Sequence, residues 1–350
     1  MKSFFILSII ALVGTCASPK YTAKIQNLKD SIKIADSSNI MTYANTITAR
    51  ELSILLFQFA SKEFEGRKAG EAGEKKAAQF IKAYYQKEGI PSPFGTSNYS
   101  QQVPAEFLSK NYSTSENLLA FIEGSTNPEE IVIISAHMDH LGISNNGAIY
   151  YGADDDGSGT VALMEMAQAF NQAKKDGHGP KRSIVFLHFT AEEIGKRGSE
   201  YYASHPVFPL KNTLVDLNID MIGRVDNLHK NNDNYIYLIG SDKLSKELHF
   251  ISEKINNSFF KIDLDYRYNT EQEKNRYYTR SDHYNFASKD IPVIFYFNGE
   301  HEDYHQPTDT PDKINYNLLE KRTKLIFATA WQIANQEHRL EIDKKNDILN

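Results

Sequence analysis

The sequence has one cysteine, one tryptophan and no surplus of positive charge. A single thiol, Cys16, excludes an internal disulfide and a structural zinc site built from several thiolates. Any metal would have to be held by His, Asp and Glu. With 39 basic against 45 acidic residues the formal net charge is −6, and no basic stripe stands out, so nucleic acid is not an expected partner. Internal repeats and low-complexity linkers are also missing. A chain of 350 residues that is 41% hydrophobic and 24% charged reads as an ordinary globular protein, not a coiled coil, a collagenous repeat or a long disordered tail.

No apolar run is long enough to span a bilayer. The longest early run, Phe4 to Val13, follows Lys2 and reads as an export signal. Cys16 sits directly behind it in Leu12-Val13-Gly14-Thr15-Cys16, which resembles a bacterial lipoprotein box with the cysteine as lipid acceptor. The other reading is an ordinary signal cut after Ala17. Either way the chain is expected to be exported, as a periplasmic or outer-membrane lipoprotein attached through Cys16, or as a secreted protein. Residues 1–16 are taken as the signal, 17–45 as a polar lead-in or tether, and 46–340 as one domain.

Within that domain, helical spacing predicts helices over Thr48–Ala60, Gly70–Glu88, Thr160–Lys174, Leu244–Ile255 and Asn315–Ala334. Four continuous apolar runs alternate with helices: Ile131–Ala136, Ile184–Phe189, Leu214–Ile219 and Pro292–Phe297. Their Val, Ile and Phe content suits strands buried on both faces. The expected fold class is α/β, a mostly parallel mixed sheet flanked by helices on both faces. The Tyr-, Arg- and Asn-rich stretch 263–285 reads as a surface excursion.

Chemistry-bearing residues follow the strand ends. The first run leads into His137-Met138-Asp139-His140, the second into Thr190-Ala191-Glu192-Glu193, the third into Asp220, and the fourth, after a loop, into Asp303-Tyr304-His305. Ligands of open parallel sheets bind beyond the carboxyl ends of the strands, so these residues can meet at one edge. Between the first run and the next helix lies Gly152-Ala153-Asp154-Asp155-Asp156-Gly157-Ser158-Gly159, whose adjacent carboxylates repel one another unless solvated or neutralised by cations. His137, Asp155, Glu193, Asp220 and His305 form a candidate donor set. Mixed imidazole and carboxylate ligands suit zinc, with manganese and cobalt as alternatives, and five donors exceed the usual set for one zinc. They fit two metals sharing a carboxylate. Asp139, two residues from His137, would share its side of an extended segment and could orient it. Of Glu192 and Glu193, one is expected to ligate and one to handle protons. His188 reads as a packed core imidazole. His140 and His283 lie near the proposed site without being needed to fill it, His178 sits in a turn, and His205, His229, His249 and His301 have no matching partners. No nucleophile elbow or phosphate-binding loop appears.

These motifs, in this order, resemble metallopeptidase family 28, the co-catalytic two-zinc aminopeptidases. The resemblance runs from about Arg50 to Ile333 and includes Phe64-Glu65-Gly66-Arg67, similar to a glutamate-glycine-arginine segment common in the family. It implies a zinc-exopeptidase fold, peptide substrates and two zinc ions per chain. Asp155 would bridge them, with His137 and Asp220 completing one site and Glu193 and His305 the other. Glu192 would be the general base, Asp139 would orient His137, and Tyr304 would help stabilise the oxyanion. A cis peptide between Asp155 and Asp156 is also implied. Three rivals stay open: a glutaminyl-peptide cyclase of the same fold, a receptor-like binding module without catalysis, and a carboxypeptidase or dipeptidase using Arg267, Arg276 or Arg280 to hold a substrate carboxylate.

Overall fold

The computed structural model describes residues 19–95 and 97–343. The expected export signal, with Cys16, lies outside them. Among the described residues, no helix is long and apolar enough to cross a membrane. The chain divides into a first unit, Met1–Lys33, whose described part carries helix α1 (Pro19–Ser31), and a large unit, Ile34–Asn350.

The large unit opens with α2 (Ser37–Ala44), α3 (Ala49–Phe59) and α4 (Ala72–Glu88). Strands β1 (Ser100–Val103), β2 (Ser115–Ile122) and β3 (Asn127–His137) follow, with a one-turn helix α5 (Ala105–Leu108) between the first two. Then come α6 (Gly159–Lys175), β4 (Arg182–Phe189), α7 (Arg197–Ser204), β5 (Thr213–Ile219), β6 (Tyr235–Ile239), α8 (Lys246–Ile255), β7 (Asp263–Asp265), α9 (His283–Ala287), β8 (Val293–Phe297) and α10 (Tyr316–Asn335). Local chemistry sets several ends. Thr48 caps α3 by accepting from the Glu51 amide, and the Thr48 hydroxyl bonds the Glu51 carboxylate. Gly89 ends α4 in the left-handed region at φ 65°.

The strands form one eight-stranded sheet in the order β1-β2-β4-β3-β5-β8-β6-β7. Its middle, β4-β3-β5-β8, is parallel throughout, and β2 and β6 flank it antiparallel. These four central strands are the four apolar runs of the sequence. Every residue of β4 and β5 is buried, as strands covered on both faces require. Alternation assigns the layers. Val185 and Leu187 of β4, with Ile131 and Ile133 of β3, pack against Tyr202 of α7 and Phe286 of α9. Phe186 points the other way and meets Phe170 of α6, 6.0 Å between ring centroids. Trp331 of α10 stacks on Phe170 at 5.5 Å and on Tyr43 of α2 at 5.6 Å.

Two stretches carry more structure than the sequence pattern suggested. The large unit begins at Ile34. Part of the supposed lead-in is α2, whose Ile40, Tyr43 and Ala44 are buried; three apolar positions in eight residues are too few to stand out as a periodic face. The stretch 263–285 is not simply a surface excursion. It supplies β7, and Tyr277, Ser281, Asp282 and His283 are buried at its end.

Candidate metal centre and active site

The parallel register aligns the strand ends that carry the chemistry. His137 pairs with Phe189 at the ends of β3 and β4, and Ile219 pairs with Tyr296 at the ends of β5 and β8. One step further along lie Glu192, Glu193 and Asp220, and the loop after β8 brings in Tyr304 and His305. The Asp154–Asp156 loop enters from the start of α6, and its Asp155–Asp156 peptide is cis, as the resemblance implied.

Of the three consecutive aspartates, two build the scaffold and one faces the centre. Asp154 accepts from the Gly223 amide at 2.6 Å, and its other oxygen lies 3.1 Å from His301 Nε2. Asp156 accepts from the amides of Gly159, Met221 and His137, tying α6, β5 and β3 together. Asp309 in turn accepts from the amides of Asp154 and Asp155. That leaves the Asp155 carboxylate free to divide between two groups. Its Oδ1 is 3.3 Å from His137 Nε2, which is itself 3.6 Å from Asp220 Oδ1. Its Oδ2 is 3.1 Å from His305 Nε2, and that nitrogen is 3.1 Å from Glu193 Oε2. All five expected donors are therefore brought together.

The structure adds a sixth group. His140 is buried, with Nδ1 2.8 Å from Glu193 Oε1 and 3.8 Å from Asp155 Oδ2. The donor atoms of His137, Asp155 and Asp220 lie within 4.8 Å of one another, and so do those of His140, Asp155 and Glu193. Four buried atoms here have no hydrogen-bond partner: both ring nitrogens of His140, Asp155 Oδ2 and Glu193 Oε1. Buried polar atoms are rarely left so, and convergent imidazoles and carboxylates are the donor chemistry of zinc. The residues present fit divalent metal ions.

Glu192 lines the cleft with Asp155, Asp220, Tyr304 and His305. Burial pushes its carboxyl well above the ordinary range, with Asp282, Asp220 and Glu193 adding to the shift. Burial would raise the Asp155 carboxyl as well, but His137 and His305 bring it well below its usual value. Asp139 does more than was expected of it. His137 Nδ1 is 3.1 Å from the Asp139 carbonyl and 3.7 Å from its carboxylate. The carboxylate accepts from the Glu192 and Glu193 amides at 3.0 and 3.3 Å, so it also fixes the turn that carries both glutamates. The Tyr304 ring stacks on His305 at 4.0 Å, and burial raises its hydroxyl pKa. Arg280 lines the cleft and pairs with Glu300 at 3.0 Å, whereas Arg267 is engaged by Asp265. His188 is a core imidazole, 2.6 Å from the Tyr85 hydroxyl, and burial lowers its pKa to about 3. His283 turns away from the centre and stacks on Phe295 at 4.8 Å.

Arg67 escaped the chemical reading of the sequence. Its buried guanidinium donates to the carbonyls of Met138, Tyr151 and Gly152 at 2.7–2.9 Å, clamping the His137 and Asp155 loops together. Only its place beside Gly66 in the resemblance pointed to it.

Comparison with known proteins agrees with this geometry. Residues 117–330 match peptidase family M28. The chain belongs to that family. This M28 chain is 27% identical over 256 residues to aminopeptidase YwaD of Bacillus subtilis, an alignment covering 70% of the chain and 51% of the relative. The chain spans about half the length of the curated relatives it matches. Among solved structures it is similar to the LapA aminopeptidase of Legionella pneumophila (TM-score 0.68, 20% identity, 97% of this chain and 81% of that one). It is also similar to a glutaminyl cyclase of Bacteroides thetaiotaomicron bound to N-acetylhistamine (TM-score 0.64, 17% identity, 81% of this chain and 98% of that one). At these identities the structural likenesses show the fold, which both activities use.

Proposed function

We propose that this chain is a zinc aminopeptidase that releases N-terminal residues from peptides, with two zinc ions per chain. The observation that carries the reading is the division of Asp155, one oxygen toward His137 and Asp220 and the other toward Glu193 and His305. His137, Asp155 and Asp220 would hold one ion; Asp155, Glu193 and His305 would hold the other. Bound there, a zinc pair supplies an acidified water and a Lewis acid for the scissile carbonyl. Glu192 takes the proton of the attacking water and returns it to the leaving amine. Tyr304 offers its hydroxyl to the carbonyl oxygen as negative charge builds. Asp139, through the Glu192 amide, keeps the base in place. The cleft wall also carries Glu300, paired with Arg280 at 3.0 Å. Export, with lipid attachment at Cys16 as one route, is part of the same proposal.

The test is a panel of aminoacyl-p-nitroanilides, each with an N-acetylated counterpart. The expected result is cleavage of free-amine substrates only, abolished by chelator and restored by zinc. Cleavage of the acetylated forms would contradict an aminopeptidase. Pyroglutamate as the sole product, from a glutaminyl substrate alone, would replace it with the cyclase reading.

A further inference from the structure

The His140 ring is a buried group at the centre for which the five-donor scheme has no use. Several features hold it there. Its backbone amide donates to the Arg67 carbonyl at 3.1 Å. Gly152, at φ 54°, leaves room for the ring: a Cβ at that position would stand 2.6 Å from ring carbons of His140. The ring lies edge-on to His305, centroids 5.9 Å apart. Its Nδ1 is 2.8 Å from Glu193 Oε1, yet the two are not aligned for a hydrogen bond, and both atoms lack partners. A buried polar atom left unsatisfied is costly. A cation between His140, Glu193 and Asp155 would satisfy three such atoms at once and leave the proton on His140 Nε2.

Building on the two-zinc reading, we propose that His140 is a fourth protein donor to the ion held by Asp155, Glu193 and His305. The two positions then differ in kind. Four protein donors complete the tetrahedral shell that zinc takes in closed sites, whereas His137, Asp155 and Asp220 leave one position of theirs open. The His140 side is the retaining site, and the His137 side is where water and substrate enter.

The experiment uses the full chain loaded with zinc, with zinc-edge X-ray absorption to count imidazoles and competition against a chelator to rank the two ions. The inference expects two ions sharing three imidazoles, with the more tightly held ion weakened by more than about 100-fold in His140→Gln, beyond the 10–100-fold typical of groups that only support a ligand. The imidazole count in His140→Gln should fall to two while the His137-side ion stays. Two ions sharing only two imidazoles in the wild type would overturn this inference and leave the two-zinc reading standing. Fewer than two ions would overturn both. Should His140→Gln fail to fold, the wild-type imidazole count still decides.

Discussion

Two clusters in this molecule are made of the same residue types, and only one is arranged as a metal site. In the first, His137, His140, His305, Asp155, Glu193 and Asp220 point their donor atoms at a common space, and several of those atoms are unsatisfied. In the second, the His229 ring lies between two aspartates on opposite edges, Nδ1 2.9 Å from Asp226 and Nε2 3.2 Å from Asp265. The Tyr237 hydroxyl donates to Asp226 at 2.6 Å, and the Tyr235 ring stacks on His229 at 3.4 Å. A ring engaged on both edges has no lone pair to give a metal, so this cluster acts as a clamp holding the residue 226–229 turn against β6 and β7. Composition does not separate the two. Convergence and unsatisfied atoms do.

The largest expected effect comes from breaking the shared element. Asp155→Asn should lose zinc at both positions and bring activity below detection, with both read on the same preparation by metal analysis and hydrolysis of a free-amine substrate. A variant that keeps one ion at wild-type affinity would show that Asp155 serves a single position.

Next, Glu192→Gln separates proton transfer from metal holding. Turnover should fall by about 10²–10⁴-fold, the usual share of a general base, while zinc content stays at the wild-type value. Full turnover would remove Glu192 from that role.

His229→Ala sharpens the contrast from the other side. It removes the ring that ties Asp226 to Asp265, so stability in urea should drop by about 1–3 kcal/mol, with zinc content unchanged. Loss of zinc would mean that the two clusters are not independent.

The smallest effect concerns a carboxyl beneath the centre. Glu74 of α4 accepts from the Gly70 amide and the Ser115 hydroxyl, and the Thr190 hydroxyl also bonds it. Burial pushes its pKa up from 4.5 to about 8, with Asp139 adding to the shift. A folded-state value above the unfolded one means that the folded chain holds a proton the unfolded chain has given up. That contribution is complete below about pH 4.5 and is lost as pH rises toward 8. Glu74→Gln cannot ionise, so its stability relative to wild type should improve between pH 5 and 9 in denaturant titrations. Parallel profiles for the two proteins would mean that Glu74 is already charged in the fold.

Legibility in the sequence followed burial. The four central strands could be read because a parallel strand covered on both faces is a continuous apolar run. Strand β2 could not, since Glu116 and Asn117 interrupt it; Asn117 is a buried side chain that bonds the Gly198 carbonyl and the Thr190 amide, an arrangement set by tertiary structure. Strand β6, Tyr235–Ile239, is apolar but only five residues long. The five donors were legible because each follows a strand end or opens a helix. His140 was set aside because five donors filled the proposed site without it. The chain leaves extended pairing after His137 and carries the ring to Glu193. Asp154, Asp156 and Arg67 lie in motifs the sequence shows, but their roles as pegs and clamp, and that of Asp309, rest on partners far away in sequence.

The central claim is that one carboxylate, Asp155, joins two metal positions. Its most direct test is the number of zinc ions bound per chain when the metal-free wild-type protein is titrated with zinc and measured by elemental analysis after dialysis. The account predicts two. A value of one, or none, would contradict it.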